Sequence, residues 1–310
     1  MDGRCPMIEC DGETIAYVLV NGKRFRSIDS RCWKAERRIE DMSADGVSLQ
    51  VLSPMPELLS YWLKPQPAAE LADCVNAAIA EICALHPKQF MGLGMVTLQD
   101  PARAVEQLRS FRSMGLRGVE IGTHINGTPL GSEKLFDFYE TLQDENLSLF
   151  IHPLHPAGCE RVGGDGVIAS VAAFPMEIAF AATSLIATGL LARLPKLRVL
   201  LSHGGGALPL VAARLAAAAG YTDTVAQHFD ESPLKTFSRF WFDSNVYDEG
   251  VLQFLATKTT PERILAGSDY PFEIRQRDPI QFCCCAMGRT ADSFRQSALQ
   301  FLGHHQGSTT

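Results

Sequence analysis

The chain has no surplus of positive charge, no paired cysteine motif and no unbroken apolar segment. Its 28 Lys and Arg against 35 Asp and Glu give a net charge of −7, without a basic face. We therefore expect no nucleic-acid partner, since proteins that bind nucleic acids present clustered positive charge. The nine Cys include no C-x2-C pair and are too sparse for a disulfide scaffold, which indicates free thiols in a reducing cytoplasm.

Two further absences narrow the class of protein. The longest apolar stretch, residues 167–191, is interrupted by Pro175 and Glu177, so no membrane span is predicted. Residues 1–10 lack the charged and apolar blocks of a signal peptide. No G-x-G-x-x-G motif opens a helix after an early strand, which argues against a doubly wound dinucleotide-binding sheet.

A regular alternation of short apolar strands and helical segments fills most of the chain. This alternation predicts a parallel sheet with helices outside it, and 310 residues suit one (β/α)8 TIM barrel over residues 1–310. Only seven strands can be counted, so we predict that the barrel lacks its first strand, whose natural place precedes residue 1. The seven predicted strands are residues 47–52, 90–96, 118–121, 148–152, 198–203, 240–243 and 263–269.

Two segments lie outside this alternation. Residues 14–28 are predicted to form a surface β-hairpin, because two strand-like arms meet across Asn21-Gly22, a favoured two-residue turn. Residues 303–310 are rich in Gly, Ser and Thr and are predicted to form a flexible tail.

Three of the predicted strands end in a side chain that commonly binds metal ions: His152, His203 and Asp269. Because a parallel barrel gathers the carboxyl ends of its strands at one rim, we expect the three side chains to meet at that rim. Two imidazoles and a carboxylate suit a divalent cation, whereas a single strand histidine more often only packs in the core. The pattern therefore predicts a metal site at the barrel mouth.

The segments around these ligands resemble a known family. They are His152-Pro153, Ser202-His203-Gly204-Gly205-Gly206 and Gly267-Ser268-Asp269-Tyr270-Pro271-Phe272. Together with shorter matches over residues 20–275, they resemble the amidohydrolase-related, metal-dependent decarboxylases, most closely the aminocarboxymuconate-semialdehyde decarboxylase branch. The resemblance implies a TIM barrel of the metal-dependent hydrolase type that removes CO₂, without oxidation, from a small carboxylated muconate semialdehyde or aromatic acid. It also implies Zn²⁺ or another divalent metal such as Mn²⁺, and a homodimer.

The same resemblance assigns the metal and catalytic residues. His152 and Asp269 are expected to bind the metal. His203 is expected to act as general acid and base, with Asp269 also taking part in catalysis. A histidine near a cation is biased toward its neutral form, which can accept a proton, so this assignment is chemically reasonable.

Four further residues are expected to meet the substrate. By the resemblance, Arg26 grips a substrate carboxylate and Arg214 reaches the site of the neighbouring subunit, and guanidinium groups suit planar carboxylates. Phe272 is expected to close the site. His155 departs from the family pattern, and we expect it either to contact substrate or to fill a gap among the metal ligands.

One departure from the family leaves the activity open. Family members begin with a strand ending in His-x-His, but no histidine precedes His86 here. The chain could be an active enzyme lacking its start, a short inactive form, or one in which another segment replaces the strand. We favour the first, because an open barrel exposes two strand edges. Two other functions stay open: a hydrolase of a lactone, ester or amide, and a metal-poor barrel that acts as a binding or partner subunit.

Overall fold

The computed structural model describes residues 5–163, 166–221, 223–227, 229 and 231–304, so most of the predicted tail lies outside the described residues. The strands are β1 Met7–Asp11, β2 Ile15–Val20, β3 Lys23–Asp29, β4 Gln50–Leu52, β5 Phe90–Gly92, β6 Gly118–Ile121, β7 His124–Ile125, β8 Thr128–Pro129, β9 Ser148–Ile151, β10 Arg198–Leu201, β11 Trp241–Asp243 and β12 Ile264–Leu265. The α-helices are α1 Ala35–Ala44, α2 Pro65–Leu85, α3 Pro101–Phe111, α4 Phe136–Asp144, α5 Cys159–Val162, α6 Gly166–Ala187, α7 Leu190–Arg193, α8 Leu208–Ala219, α9 Asp223–Ala226, α10 Pro233–Phe237, α11 Glu249–Ala256, α12 Pro279–Met287 and α13 Ala291–Phe301.

Seven parallel strands lie side by side in chain order. Five of them form a sheet in the order β6, β9, β10, β11 and β12, and β4 pairs with β5. A backbone bridge between Gly94 and Val119 joins the two parts. Each of the seven predicted strands is present. Strand β6 has the predicted bounds, and the other six are shorter than the sequence indicated.

The two ends of this strand order are β4 and β12. No other strand among the described residues pairs with the free edge of either one. Helix α1 spans the opening instead: Arg38 Nη1 donates a hydrogen bond to Gln50 Oε1 at 2.9 Å, and the Tyr270 hydroxyl donates to Asp41 Oδ2 at 2.7 Å. Side chains of one helix thus connect both ends of the sheet.

Alternate residues of each central strand face opposite layers. In β9, Leu149 and Ile151 are buried in the large cluster between sheet and helices, whereas Phe150 packs in a second cluster inside the barrel. Phe301 of α13 belongs to this inner cluster, and its carbonyl accepts a hydrogen bond from the Ser148 hydroxyl at the start of β9. Because both faces of the strand are covered by protein, its sequence is almost wholly apolar.

The predicted hairpin is confirmed, and it belongs to a larger sheet. Strands β2 and β3 meet at Asn21-Gly22, whose φ values of 54° and 72° suit a tight hairpin turn. Strand β1, which the sequence did not indicate, pairs antiparallel with β2. The result is a three-stranded antiparallel sheet, and its last strand carries Arg26.

Helix α6 is long and apolar enough to cross a membrane by length and composition, and 41% of its most apolar window is buried in the fold. Core helices of soluble proteins can have the same length and apolar composition, so these two properties are weak evidence for a membrane span. Glu177 of α6 is buried and accepts a hydrogen bond from the Ala157 N–H at 3.0 Å. The helix also packs against α8 and α10, which gives it a place within the fold.

Candidate active site

The structure brings His152, His203 and Asp269 together at the carboxyl ends of β9, β10 and β12. Asp269 Oδ1 lies 3.9 Å from His152 Nε2, and Asp269 Oδ2 lies 3.5 Å from His203 Nε2. The two imidazole ring centroids are 5.4 Å apart. One potential ligand atom from each side chain lies within 4.8 Å of the other two, a spacing that suits three groups around one cation.

The turn after β10 requires its glycines in order to present His203. Residues 203–206 all have positive φ, between 53° and 77°. A Cβ atom on Gly206 would lie 1.8 Å from the Pro175 carbonyl oxygen, and one on Gly205 would lie 2.7 Å from the Phe242 ring. Only glycine satisfies both the conformation and the close approach, so the Gly-Gly-Gly sequence serves to place the imidazole.

Asp243, at the end of β11, supports this turn. Its Oδ1 accepts hydrogen bonds from the Gly204 N–H at 2.8 Å and the Asn245 N–H at 3.1 Å. Burial raises the pKa of Asp243, although the nearby His203 and these two N–H groups oppose the increase. Asp243 is therefore a positioning residue for the turn that carries His203.

The electrostatics of the three groups are strongly linked. Burial alone would lower the pKa of His152, but the neighbouring Asp269 and Glu120 carboxyl groups raise it to about 9. Burial likewise tends to raise the pKa of Asp269, yet His152 and His203 hold it below its usual range. The two carboxyl groups favour the protonated form of His152, and the two imidazoles favour the ionised form of Asp269. A divalent cation would compete with the proton on His152.

Glu120 is a buried acid that the sequence motifs did not indicate. It lies in the middle of β6 and is 1% exposed, and its Oε1 has no hydrogen-bond partner among the described residues. Burial raises its pKa to about 7, with His152 acting in the opposite direction. The sequence did carry a signal for this residue: Glu120 is the one acid in the otherwise apolar segment Gly118–Ile121.

Replacing Glu120 with glutamine is expected to stabilise the metal-free chain at pH 8 by about 1–3 kcal/mol. A raised pKa means that the stabilising contribution of Glu120 is complete below pH 4.5, its ordinary pKa, and is lost as the pH rises through about 7. Glutamine cannot ionise, so the advantage of Glu120→Gln should shrink at pH 5. Urea denaturation in the presence of a chelator, at both pH values, measures the difference. Equal differences at pH 5 and pH 8 would contradict this account.

A cavity of about 1660 Å³ opens from the His152, His203 and Asp269 cluster. Three of the four predicted substrate residues lie on its wall: Arg26, His155 and Phe272. Arg214 is exposed on α8 and does not lie on this wall. A second cavity, of about 580 Å³, lies between β4 and β12 and also reaches His152 and Asp269.

The predicted substrate residues have specific neighbours on this wall. Arg26 Nη2 lies 2.5 Å from Glu57 Oε1, and the Arg26 guanidinium lies 4.4 Å from the centroid of the Phe272 ring. The His155 ring is 5.1 Å from the Trp62 ring, and burial lowers the pKa of His155. The wall therefore combines a neutralised arginine, an uncharged imidazole at neutral pH and aromatic surface.

A parallel βα barrel whose strand ends gather two imidazoles and a carboxylate belongs to the class of barrel enzymes related to metal-dependent hydrolases. The amidohydrolase family matches residues 23–282, and the chain belongs to that family. The predicted family and the predicted barrel class are thereby confirmed.

Several homologues are decarboxylases. Over 270 residues the chain is 35% identical to 2-amino-3-carboxymuconate-6-semialdehyde decarboxylase of Dictyostelium discoideum, covering 86% of this chain and 74% of the relative. The structure is similar to 5-carboxyvanillate decarboxylase LigW of Sphingomonas paucimobilis, with a TM-score of 0.77, 25% identity and coverage of 86% and 82%. The dihydroxybenzoic acid decarboxylase of Polaromonas sp. JS666 shares the fold, with a TM-score of 0.73, 22% identity and coverage of 86% and 85%. The predicted resemblance to decarboxylases of the amidohydrolase superfamily is confirmed.

Proposed function

We propose that the protein is a metal-dependent, non-oxidative decarboxylase of a small carboxylated muconate semialdehyde or aromatic acid. The observation that carries this proposal is the convergence of His152, His203 and Asp269 beside a large cavity. The Dictyostelium relative is named for an aminocarboxymuconate semialdehyde and the Sphingomonas structure for 5-carboxyvanillate, and both are named decarboxylases. These names support a small carboxylated compound as the substrate.

The residues of the cluster fit a divalent metal ion. Two nitrogen donors and one carboxylate are a donor set that Zn²⁺ and Mn²⁺ accept, and their mutual spacing of 4.8 Å or less allows a shared ion. The Polaromonas structure contains bound manganese, which supports Mn²⁺ as well as Zn²⁺. We assign His152 and Asp269 as the residues that would hold the ion. A bound ion would orient the substrate oxygens and stabilise negative charge as CO₂ leaves.

His203 is the group in this cluster that can move a proton during the reaction. Loss of CO₂ leaves an electron pair on carbon, and a proton must be delivered to that carbon to complete the product. His203 Nε2 is placed to deliver it, and Asp269, at 3.5 Å, orients the imidazole. The other ring nitrogen, Nδ1, is buried without a hydrogen-bond partner among the described residues.

The cavity wall would position the substrate. Arg26 can donate hydrogen bonds to a substrate carboxylate, and its guanidinium lies 4.4 Å from the centroid of the Phe272 ring. His155 and Trp62 offer an aromatic surface on the same wall. We propose that these groups bind the substrate next to the ion and exclude water from it.

We also propose that the enzyme is a cytoplasmic homodimer. Leu210 of α8 and Val167 of α6 line the cavity mouth and are 73% and 65% exposed, and exposed apolar patches commonly mark interfaces. Arg214 lies four residues after Leu210 and therefore on the same face of α8, from which it could reach the site of a second copy. All nine Cys are free, which supports a reducing compartment.

The function is tested by loading the chelator-stripped protein with Mn²⁺ or Zn²⁺ and measuring CO₂ release. We expect one carboxylated muconate semialdehyde or aromatic acid to lose CO₂ with metal present, and the rate to fall at least about 100-fold after chelation. Mass spectrometry in ¹⁸O-water separates the alternatives, because decarboxylation adds no water oxygen to the product, whereas hydrolysis of an ester, lactone or amide does. Metal binding below about 0.1 equivalent would support the partner-subunit alternative.

A further inference from the structure

Glu120, the buried acid on β6, lies outside the three motifs that carry the proposed metal site. We propose that Glu120 supplies a second negative charge to this site and acts on the ion from outside its coordination shell. The Glu120 side chain is 1% exposed, and its Oε1 has no hydrogen-bond partner among the described residues. This inference rests on the proposed metal site and describes what determines the affinity of that site for a divalent ion.

Glu120 faces the inside of the barrel. Its neighbours Val119 and Ile121 are buried in the large cluster between sheet and helices, and successive residues of a strand face opposite sides. The N–H of His152 donates a hydrogen bond to the Ile121 carbonyl at 3.0 Å, so His152 follows β9 directly beside the end of β6. The cavity of about 580 Å³ is lined by Glu120, His152 and Asp269. Glu120 and both proposed metal ligands therefore border one space.

The three side chains of the cluster compensate only part of the charge of a divalent ion. A histidine binds a metal ion as the neutral imidazole, so Asp269 is the only anion among His152, His203 and Asp269. These side chains are 12%, 11% and 19% exposed, in that order, and water screens the remaining charge less than it would at the surface. A further carboxylate beside the cluster would therefore stabilise the bound ion.

Glu120 is the acid of this cavity that is available for that role. The carboxylates that line the cavity are Glu120, Asp243 and Asp269. Glu120 Oε1 is the one carboxylate oxygen among them that is buried without a hydrogen-bond partner in the described part of the chain. Asp243 Oδ1 already accepts two backbone N–H groups of the turn that carries His203.

Glu120 and His152 interact through their charges. Burial raises the pKa of Glu120, and His152 opposes that increase. Burial would lower the pKa of His152, and Glu120 is one of the groups that raise it instead. Because a positive charge on His152 is stabilised by Glu120, a divalent cation bound to His152 should be stabilised as well.

The position of Glu120 favours action at a distance over coordination. His152, His203 and Asp269 each place a ligand atom within 4.8 Å of the other two, and no such group among the described residues includes Glu120. A charge outside the coordination shell acts similarly on all divalent ions, whereas a ligand distinguishes metals by donor type and geometry. The affinities for Mn²⁺ and Zn²⁺ should therefore depend on Glu120 to a similar degree.

The test measures Kd for Mn²⁺ and for Zn²⁺ by competition with a chromophoric chelator, at pH 8 and without substrate. We expect Glu120→Gln to weaken the binding of both ions by roughly 10- to 100-fold, because glutamine keeps the size of the side chain and removes its charge. Glu120→Asp keeps the charge, so it should retain most of the affinity. Circular dichroism establishes that each variant is folded.

Glu177→Gln is the matched control. Glu177 is a second buried acid, 6% exposed on α6, and it lines neither of the two cavities. This variant removes a buried carboxyl group of the same size away from the metal site, so both Kd values should equal those of the wild type.

Four results would overturn the inference. Glu120→Gln could bind both ions with wild-type affinity, or it could lose affinity for one metal alone, which would make Glu120 a ligand. Glu120→Asp could lose as much affinity as Glu120→Gln, which would exclude charge as the cause. A wild type that binds neither ion would contradict the proposed function as well. CO₂ release tests that function separately, because the Kd values are measured without substrate and decide the role of Glu120 whether or not an acid is decarboxylated.

Discussion

Replacing His203 with asparagine is expected to lower kcat by roughly 100- to 10,000-fold, with bound metal close to the wild-type level. His203 lines the cavity, and its Nε2 lies 3.5 Å from Asp269 Oδ2, where it can deliver a proton to the substrate carbon. Asparagine keeps a polar side chain but cannot donate and recover a proton near neutral pH. CO₂ release and elemental analysis of the same samples measure activity and metal together.

His86→Asn is the control for this substitution. His86 follows the end of α2 and lines neither cavity, so its replacement should leave both readouts unchanged. A His203→Asn variant that loses its metal along with its activity would show that His203 is a ligand. The assignment of His203 as acid and base would then be wrong.

Replacing Asp269 with alanine is expected to weaken Mn²⁺ binding by roughly 100-fold or more and to abolish CO₂ release. Asp269 is the one carboxylate of the cluster and lies within 4 Å of both imidazoles, so its loss removes the anionic donor. Calorimetric titration with Mn²⁺ measures the affinity, and circular dichroism establishes that the variant is folded.

Asp292→Ala serves as the comparison, because Asp292 is an exposed acid in the first turn of α13. It should bind Mn²⁺ as the wild type does. If Asp269→Ala bound Mn²⁺ with wild-type affinity, other groups would hold the ion, and the proposed site would have to be abandoned.

The strands and the cluster were predictable because their signals are local. A strand covered on both faces is nearly all apolar, so seven such runs stood out from the helices between them. The cluster followed from the rule that parallel strands end at one rim, which placed His152, His203 and Asp269 together without knowledge of the packing. The hairpin was marked by Asn21-Gly22, whose turn geometry depends on those two residues.

Other features depend on contacts between distant parts of the chain. Strand β1 is exposed along its whole length, so no buried face created a hydrophobic pattern. Helix α12, which includes Cys283–Cys285, was not predicted. The pairing of Arg26 with Glu57 joins residues 31 positions apart on different elements, and neither residue type alone indicates that partner. Tertiary packing decides such features, and the sequence pattern does not record it.

Helix α6 is in close contact with the turn formed by residues 203–206, and this contact links the cavity wall to the imidazole of His203. The Pro175 carbonyl accepts a hydrogen bond from the Ala207 N–H at 3.3 Å, directly beside Gly206. Phe174, the residue before Pro175, lines the cavity. Any displacement of this part of α6 is therefore transmitted mechanically to the imidazole. Changes in α6 intended to enlarge the cavity should alter turnover as well as binding.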